Sequence, residues 1–85
     1  MTTPANQAEL FKQLSSLENF ASSGLVAVMG DRCEIVIERR GHVRGIWHCK
    51  NGKFAFTPAG YNEPSVVANT ITEAVEFTRK SFITK

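Results

Sequence analysis

The stretch Arg39-Arg40-Gly41-His42-Val43-Arg44-Gly45-Ile46-Trp47-His48-Cys49-Lys50-Asn51-Gly52-Lys53 decides the fold. It has a turn signal at each end, Arg40-Gly41 and Asn51-Gly52. Asn-Gly between apolar runs is the strongest short-range sign of a hairpin. The segment between the turns, His42 to Lys50, is therefore a strand that pairs on both sides. A two-residue Asn51-Gly52 turn pairs Lys50 with Lys53, Cys49 with Phe54 and Trp47 with Phe56.

Outward from that strand, Arg32 to Arg39 alternates apolar and charged residues and reads as the strand before it. Leu25 to Met29 is a short apolar run, joined to it by Gly30-Asp31. A two-residue turn there pairs Val28 with Cys33 and Val26 with Ile35. Lys53 to Thr57 is the fourth strand. In these registers Val26, Val28, Cys33, Ile35, Ile37, Val43, Trp47, Cys49, Phe54 and Phe56 share one face, because a strand's side chains alternate with period two.

Helices flank the strands. Thr3-Pro4 is a helix start, threonine as cap and proline in the first turn. Leu10, Leu14, Leu17 and Ala21 follow at helical spacing with Phe11 beside them, and Ser22-Ser23-Gly24 is the stop. Pro58 to Ser65 is a loop, and Val66-Val67 a short extended piece. Thr70-Ile71-Thr72-Glu73 is a capping box, followed by a stripe of Ile71, Ala74, Val75, Thr78 and Phe82. The expectation is an α+β fold in the order α-β-β-β-β-α. It is a two-layer sandwich, a four-stranded antiparallel meander with the N- and C-terminal helices packed on one face. Residues 1–85 are the length of a single domain.

Several function classes lack their residues. Cys33, His48 and Cys49 invite a metal reading, but neighbours on a strand point to opposite faces, and neither C-x-x-C nor H-x-x-x-H spacing occurs. Neither a Ser/Cys–His–acid set nor a glycine loop between strand and helix is present. The expectation is no enzyme, no metal and no cofactor. The start of the chain has no basic segment followed by an apolar run, and no stretch nears the ~20 apolar residues of a membrane span. With only two cysteines in the chain, this gives the expectation of a cytoplasmic protein with reduced thiols and no membrane association.

Two binding surfaces follow from the alternation. Net charge is +2, and the whole positive excess falls in residues 39–53, which contain no acid. Arg39, Arg40, His42, Arg44, His48, Lys50 and Lys53 are the candidate contacts to nucleic acid or another polyanion. Against that reading, the open face carries no aromatic platform of the kind single-strand binders use. The second surface is Leu25, Ala27 and Met29 with Val36 and Ile46, apolar residues on the face the helices leave open. The first strand is an uncharged edge, and such an edge invites a protein partner or a second copy, a homodimer through that strand. The expected function is a small binding or regulatory protein acting through protein–protein contacts of the open face and edge strand. Nucleic-acid binding through the basic hairpin is the alternative.

Overall fold

The computed structural model describes residues 5–50 and 52–83. The expected helix start at Thr3-Pro4 lies outside them. The elements are α1 (Ala5–Ser15), β1 (Leu25–Met29), β2 (Ile35–Arg39), β3 (His42–Lys50), β4 (Lys53–Pro58), β5 (Val66–Ala68) and α2 (Ile71–Thr78), which runs on into a π-helical turn at Arg79–Ile83. The fold is α+β, as expected, with five strands rather than four. The short extended piece at Val66 pairs with β4, Phe56 opposite Val66 and Phe54 opposite Ala68. Spatial order follows chain order, β1-β2-β3-β4-β5, all antiparallel.

Both helices bury their stripes against one sheet face. Leu10 and Leu14 of α1 and Ala74 and Thr78 of α2 are buried with Ile35, Ile37, Trp47, Phe54, Phe56 and Ala68 of the sheet. Helix α1 is shorter than its apolar spacing suggests. It stops at Ser15, Asn19 takes a left-handed φ of 67°, and Phe20 rather than Ala21 fills the core. A single 3-10 turn at Ala21–Ser23 then closes on Gly24, whose φ is 81°.

Trp47 sits at the centre of the core. Its ring lies 5.2 Å from Phe56 and edge-on to Phe77 at 5.9 Å. Its indole N–H donates to Thr78 Oγ1 at 3.1 Å, and Thr78 in turn donates to the Ala74 carbonyl at 2.9 Å. A buried indole N–H left unpaired would cost about 1–3 kcal/mol, so Thr78 is what makes a buried tryptophan tolerable here. The expected cap at Thr70 forms, with Glu73 N–H donating to Thr70 Oγ1, while the Glu73 carboxylate reaches one residue further back and accepts from the Asn69 N–H. At the other end of the layer, the buried Gln7 donates to the carbonyls of Cys33 and Trp47, fastening α1 to the sheet.

The turns explain which strand residues face the core. The β3–β4 register is the expected one, with Trp47 opposite Phe56 and Cys49 opposite Phe54. The β1–β2 register is not. Gly30 N–H donates to the Glu34 carbonyl and Cys33 N–H to the Gly30 carbonyl, so the loop is Asp31-Arg32-Cys33, three residues long. Cys33 takes the left-handed position with φ 63°, as a three-residue hairpin with a bulge requires. Met29 therefore pairs with Ile35 and Ala27 with Ile37. One extra loop residue swaps the faces of β1. Leu25, Ala27 and Met29 lie on the helix side, and Val26 and Val28 lie on the open side.

A second irregularity acts on β3. Ile37 pairs with Gly45, but Glu38 pairs with Val43, so Arg44 is an extra, bulged residue. The bulge moves Val43 from the expected core face to the open face. It also adjoins Gly45, whose position has no room for a side chain: a Cβ there would stand 2.1 Å from Phe56 Cζ. The Phe56 ring cannot swing away, because it is packed against Trp47, Phe77 and Phe82. Gly45→Ala is accordingly expected to destabilise the fold by about 1–3 kcal/mol. The urea midpoint should fall with an unchanged slope, and a midpoint within error of the parent would show that the aromatic cluster yields.

Candidate functional site: the uncovered sheet face

The face opposite the helices is built from alternate residues of all five strands. Val28 of β1 pairs with Val36 of β2, and Val36 with Ile46 of β3, so three branched apolar residues lie side by side across the sheet. Val26 stands opposite Glu38, and Glu38 opposite Val43. His48 pairs with Ala55, and Ala55 with Val67 of β5. Val26, Val28, Val43 and Val67 are 53, 40, 46 and 57% exposed. Those values are high for a residue type that is usually buried. Charged groups are distributed unevenly over this band: Glu38 stands within it, between Val26 and Val43. Glu38 lies on the β1–β2 side, while Arg44, His48 and Lys53, all exposed, lie on the β3–β4 side.

Part of the apolar surface expected from the sequence is here and part is not. Val36 and Ile46 are on this face. Leu25, Ala27 and Met29 are not, because the three-residue loop turns them to the helix side, where Leu25 is buried. Val26, Val28, Val43 and Val67 take their place. The three-residue Asp31-Arg32-Cys33 loop, closed by Gly30 and Glu34, is the feature that identifies the first two. Val67 belongs to a fifth strand that its three residues barely announce.

The basic residues do not form one patch. Strand β3 spans nine residues, so at ~3.4 Å per residue its two ends are roughly 27 Å apart. Arg40, His42 and Arg44 lie at one end and Lys53 at the other, with His48 near it. Arg44 and His48, the nearest members of the two groups, are four residues apart along the strand, roughly 14 Å at ~3.4 Å per residue, which still exceeds the ~8–10 Å over which salt screens charge. The Lys50 side chain lies outside the described residues. Arg39 is set apart from the other cations. It is half-buried on the helix side, and its guanidinium donates to the Phe82 carbonyl at the end of the C-terminal helix. A cation there satisfies a carbonyl left over at the helix end and suits the negative end of the dipole.

Little in the arrangement points to chemistry. His48 faces the open side, whereas the Cys49 thiol accepts from Asn6 Nδ2 at 3.1 Å on the helix side. Among the described residues no group of three His, Cys, Asp or Glu side chains converges as a metal site would require. No helix among them is long and apolar enough to cross a membrane. On the outer side of α2, Arg79 hydrogen-bonds Glu76 at 2.6 Å and holds that carboxyl below its ordinary range. Tyr61, 70% exposed, stands in the loop after β4, whose Ala59 N–H donates to the Arg44 carbonyl. Compared with protein-family models, curated proteins and solved structures, the chain matches no family model, no curated protein and no solved structure.

The division among the arginines is measurable. Arg39→Gln should lower the unfolding free energy by about 1.5–3 kcal/mol, the range for a hydrogen bond to a charged group. Arg40→Ala and Arg44→Ala should each stay within about 0.5 kcal/mol of the parent, as exposed positions do. Equal effects at all three sites in urea titrations would contradict the assignment of Arg39 to the helix end.

Proposed function

We propose that this chain is a small non-catalytic binding module that recognises a protein partner through the uncovered face of its sheet. The observation that carries the reading is the apolar band from Val26 and Val28 through Val36, Val43 and Ile46 to Val67, with no described element of the chain packed over it. Contiguous exposed apolar surface rimmed by polar groups marks interaction sites. The uneven charge distribution sets the partner's chemistry. It presents an apolar surface whose acidic groups meet Arg44, His48 and Lys53, since complementary potentials fix orientation at an interface.

Nucleic acid is the competing reading. It draws on Arg40, His42, Arg44 and Lys53, and it has less support because these cations are divided between the two ends of β3 and the face offers no aromatic side chain for stacking. Duplex binding through phosphates would still be visible as a fall in log affinity with log salt of about −0.9 per phosphate neutralised.

The two readings separate with two variants. Val43→Glu/Val67→Glu places charge on the band at exposed positions, so the fold should persist by circular dichroism. Arg40→Glu/Arg44→Glu reverses one basic end. Crosslinking capture from cell extract is expected to recover a partner with the parent and the arginine variant, and to lose it with the valine variant. Fluorescence anisotropy with duplex DNA at two salt concentrations is expected to show no binding that depends on Arg40 and Arg44. Recovery indifferent to the valines, or salt-dependent DNA binding abolished by the arginine variant, overturns the proposal.

A further inference from the structure

Strand β1 is one of the two edges of the sheet, and its backbone shows which groups that edge offers. Arg40 N–H donates to the Gly24 carbonyl and Gly30 N–H to the Glu34 carbonyl. Bonded pairs alternate along an antiparallel ladder, so Val26 and Val28 also direct their backbone groups to β2. Leu25, Ala27 and Met29 then direct theirs outward. The Leu25 N–H is already taken by the Phe20 carbonyl at 3.1 Å. The outward set that is left is the Leu25 carbonyl and both groups of Ala27 and Met29. The strand has no charge, no proline and no bulge, the devices that keep edges apart.

We propose that β1 pairs antiparallel with β1 of a second copy of this chain, in the register centred on Ala27, and joins the two sheets into one ten-stranded sheet. The inference goes beyond the open-face reading and stands or falls separately from it. A two-fold axis requires a surface that complements itself, and three observations show that this one does. First, Ala27 exchanges both its bonds with Ala27 of the second copy, and each Met29 N–H meets the Leu25 carbonyl that still lacks a donor. Second, the register sets Met29 of the second copy beside Leu25 on the helix side. Along that end of the edge a hollow of about 230 Å³ is lined by Ser15, Phe20, Ala21, Leu25, Val26 and Ala27. On the other side Val26 meets Val28 of the second copy, an apolar cross-strand pair that extends the open face across the axis.

Third, the ends of the strand carry complementary charge. Arg40 lies over Gly24: its Cγ and Nε stand 3.2 and 3.3 Å from where a Cβ on Gly24 would be. Because Met29 of the second copy pairs with Leu25, the hairpin end of that copy, with its exposed Asp31, comes to the Gly24 end of β1, where Arg40 lies. The axis repeats that pair at the other end.

Sedimentation equilibrium over a concentration series tests the proposal, with the 9.4 kDa chain expected at twice its mass. Ala27→Pro removes an outward N–H at an edge position that tolerates proline, and is expected to give a folded monomer. Asp31→Arg and Arg40→Asp should each raise the dimer dissociation constant by about tenfold, turning attractive exposed pairs into repulsive ones. The double variant Asp31→Arg/Arg40→Asp should recover the parent value. Val43→Glu/Val67→Glu, away from β1, should leave the dimer intact whatever it does to partner capture. A parent that is monomeric throughout, a dimer indifferent to Ala27→Pro, or a double variant no better than the singles overturns it.

Discussion

The burial of Trp47 is the constraint on which the rest depends. A tryptophan at the middle of the central strand needs a thick apolar layer on its side and a partner for its N–H. Phe56, Phe77 and Ala74 supply the first and Thr78 the second. Those groups come from β4 and α2, so satisfying one side chain docks the C-terminal helix on the sheet. It also commits the near face of the sheet to the core, and with α1 on the same side the far face is left bare. The uncovered surface is thus a consequence of where the core had to be.

Much of this is legible in the residues. Asn51-Gly52 fixes the β3–β4 register, and that register alone places Trp47, Cys49, Phe54 and Phe56 on one side. The capping box at Thr70 and Glu73 fixes the start of α2. The faces of β1 and of the first part of β3 are not legible in the same way, and the reason is physical. A hairpin's register is set by loop length, and Gly30-Asp31 has the residues of a two-residue turn in a chain that folds with Asp31-Arg32-Cys33 instead. Gly30 has no role as a positive-φ residue there. It closes the loop, and the Glu34 side chain lies where its Cβ would be. The left-handed position falls on Cys33, a residue type that gives no turn signal. The bulge at Arg44 is hidden for a similar reason. Nothing local demands it; the close approach of Phe56 to Gly45 and the tight Arg40-Gly41 turn, with φ of 52° and 86°, must both be accommodated within one strand, and the extra residue takes up the difference.

These two single-residue effects change the character of the open face. With regular alternation it would carry Leu25, Ala27 and Met29 and lose Val43. With the observed loop and bulge it gains Val26, Val28 and Val43, branched residues that stand stiffly and give up little rotamer freedom when covered. The basic window changes in the opposite sense. Read along the sequence it is one dense run of cations. Folded, it becomes two turns at the two ends of a long strand with an apolar stretch between them, and Arg39 is withdrawn to the end of the C-terminal helix. Linear charge density is a poor guide whenever the charged run is itself a strand, because extension separates what the sequence brings together.

The same geometry links the bare face to the bare edge. An apolar face that ends at an unprotected strand is one surface with a boundary on which two kinds of contact compete. Pairing along β1 satisfies backbone groups, whereas covering the face satisfies side chains. The alternation of the strand keeps them apart, since Val26 and Val28 turn their backbone to β2 and their side chains to the face, while Ala27 and Met29 turn their backbone to the edge and their side chains to the helices. A copy added at the edge therefore leaves the valines exposed and brings those of two chains together at the axis. The face doubles in width, and its most apolar part, at the margin of a single chain, becomes its centre. Apolar groups at the centre of a patch, ringed by other residues that exclude water, contribute more to binding than the same groups at a rim. Absence of charge at Val26 and Val28 matters to both contacts, because a lysine placed at either position to block pairing would also stand in the middle of the widened face.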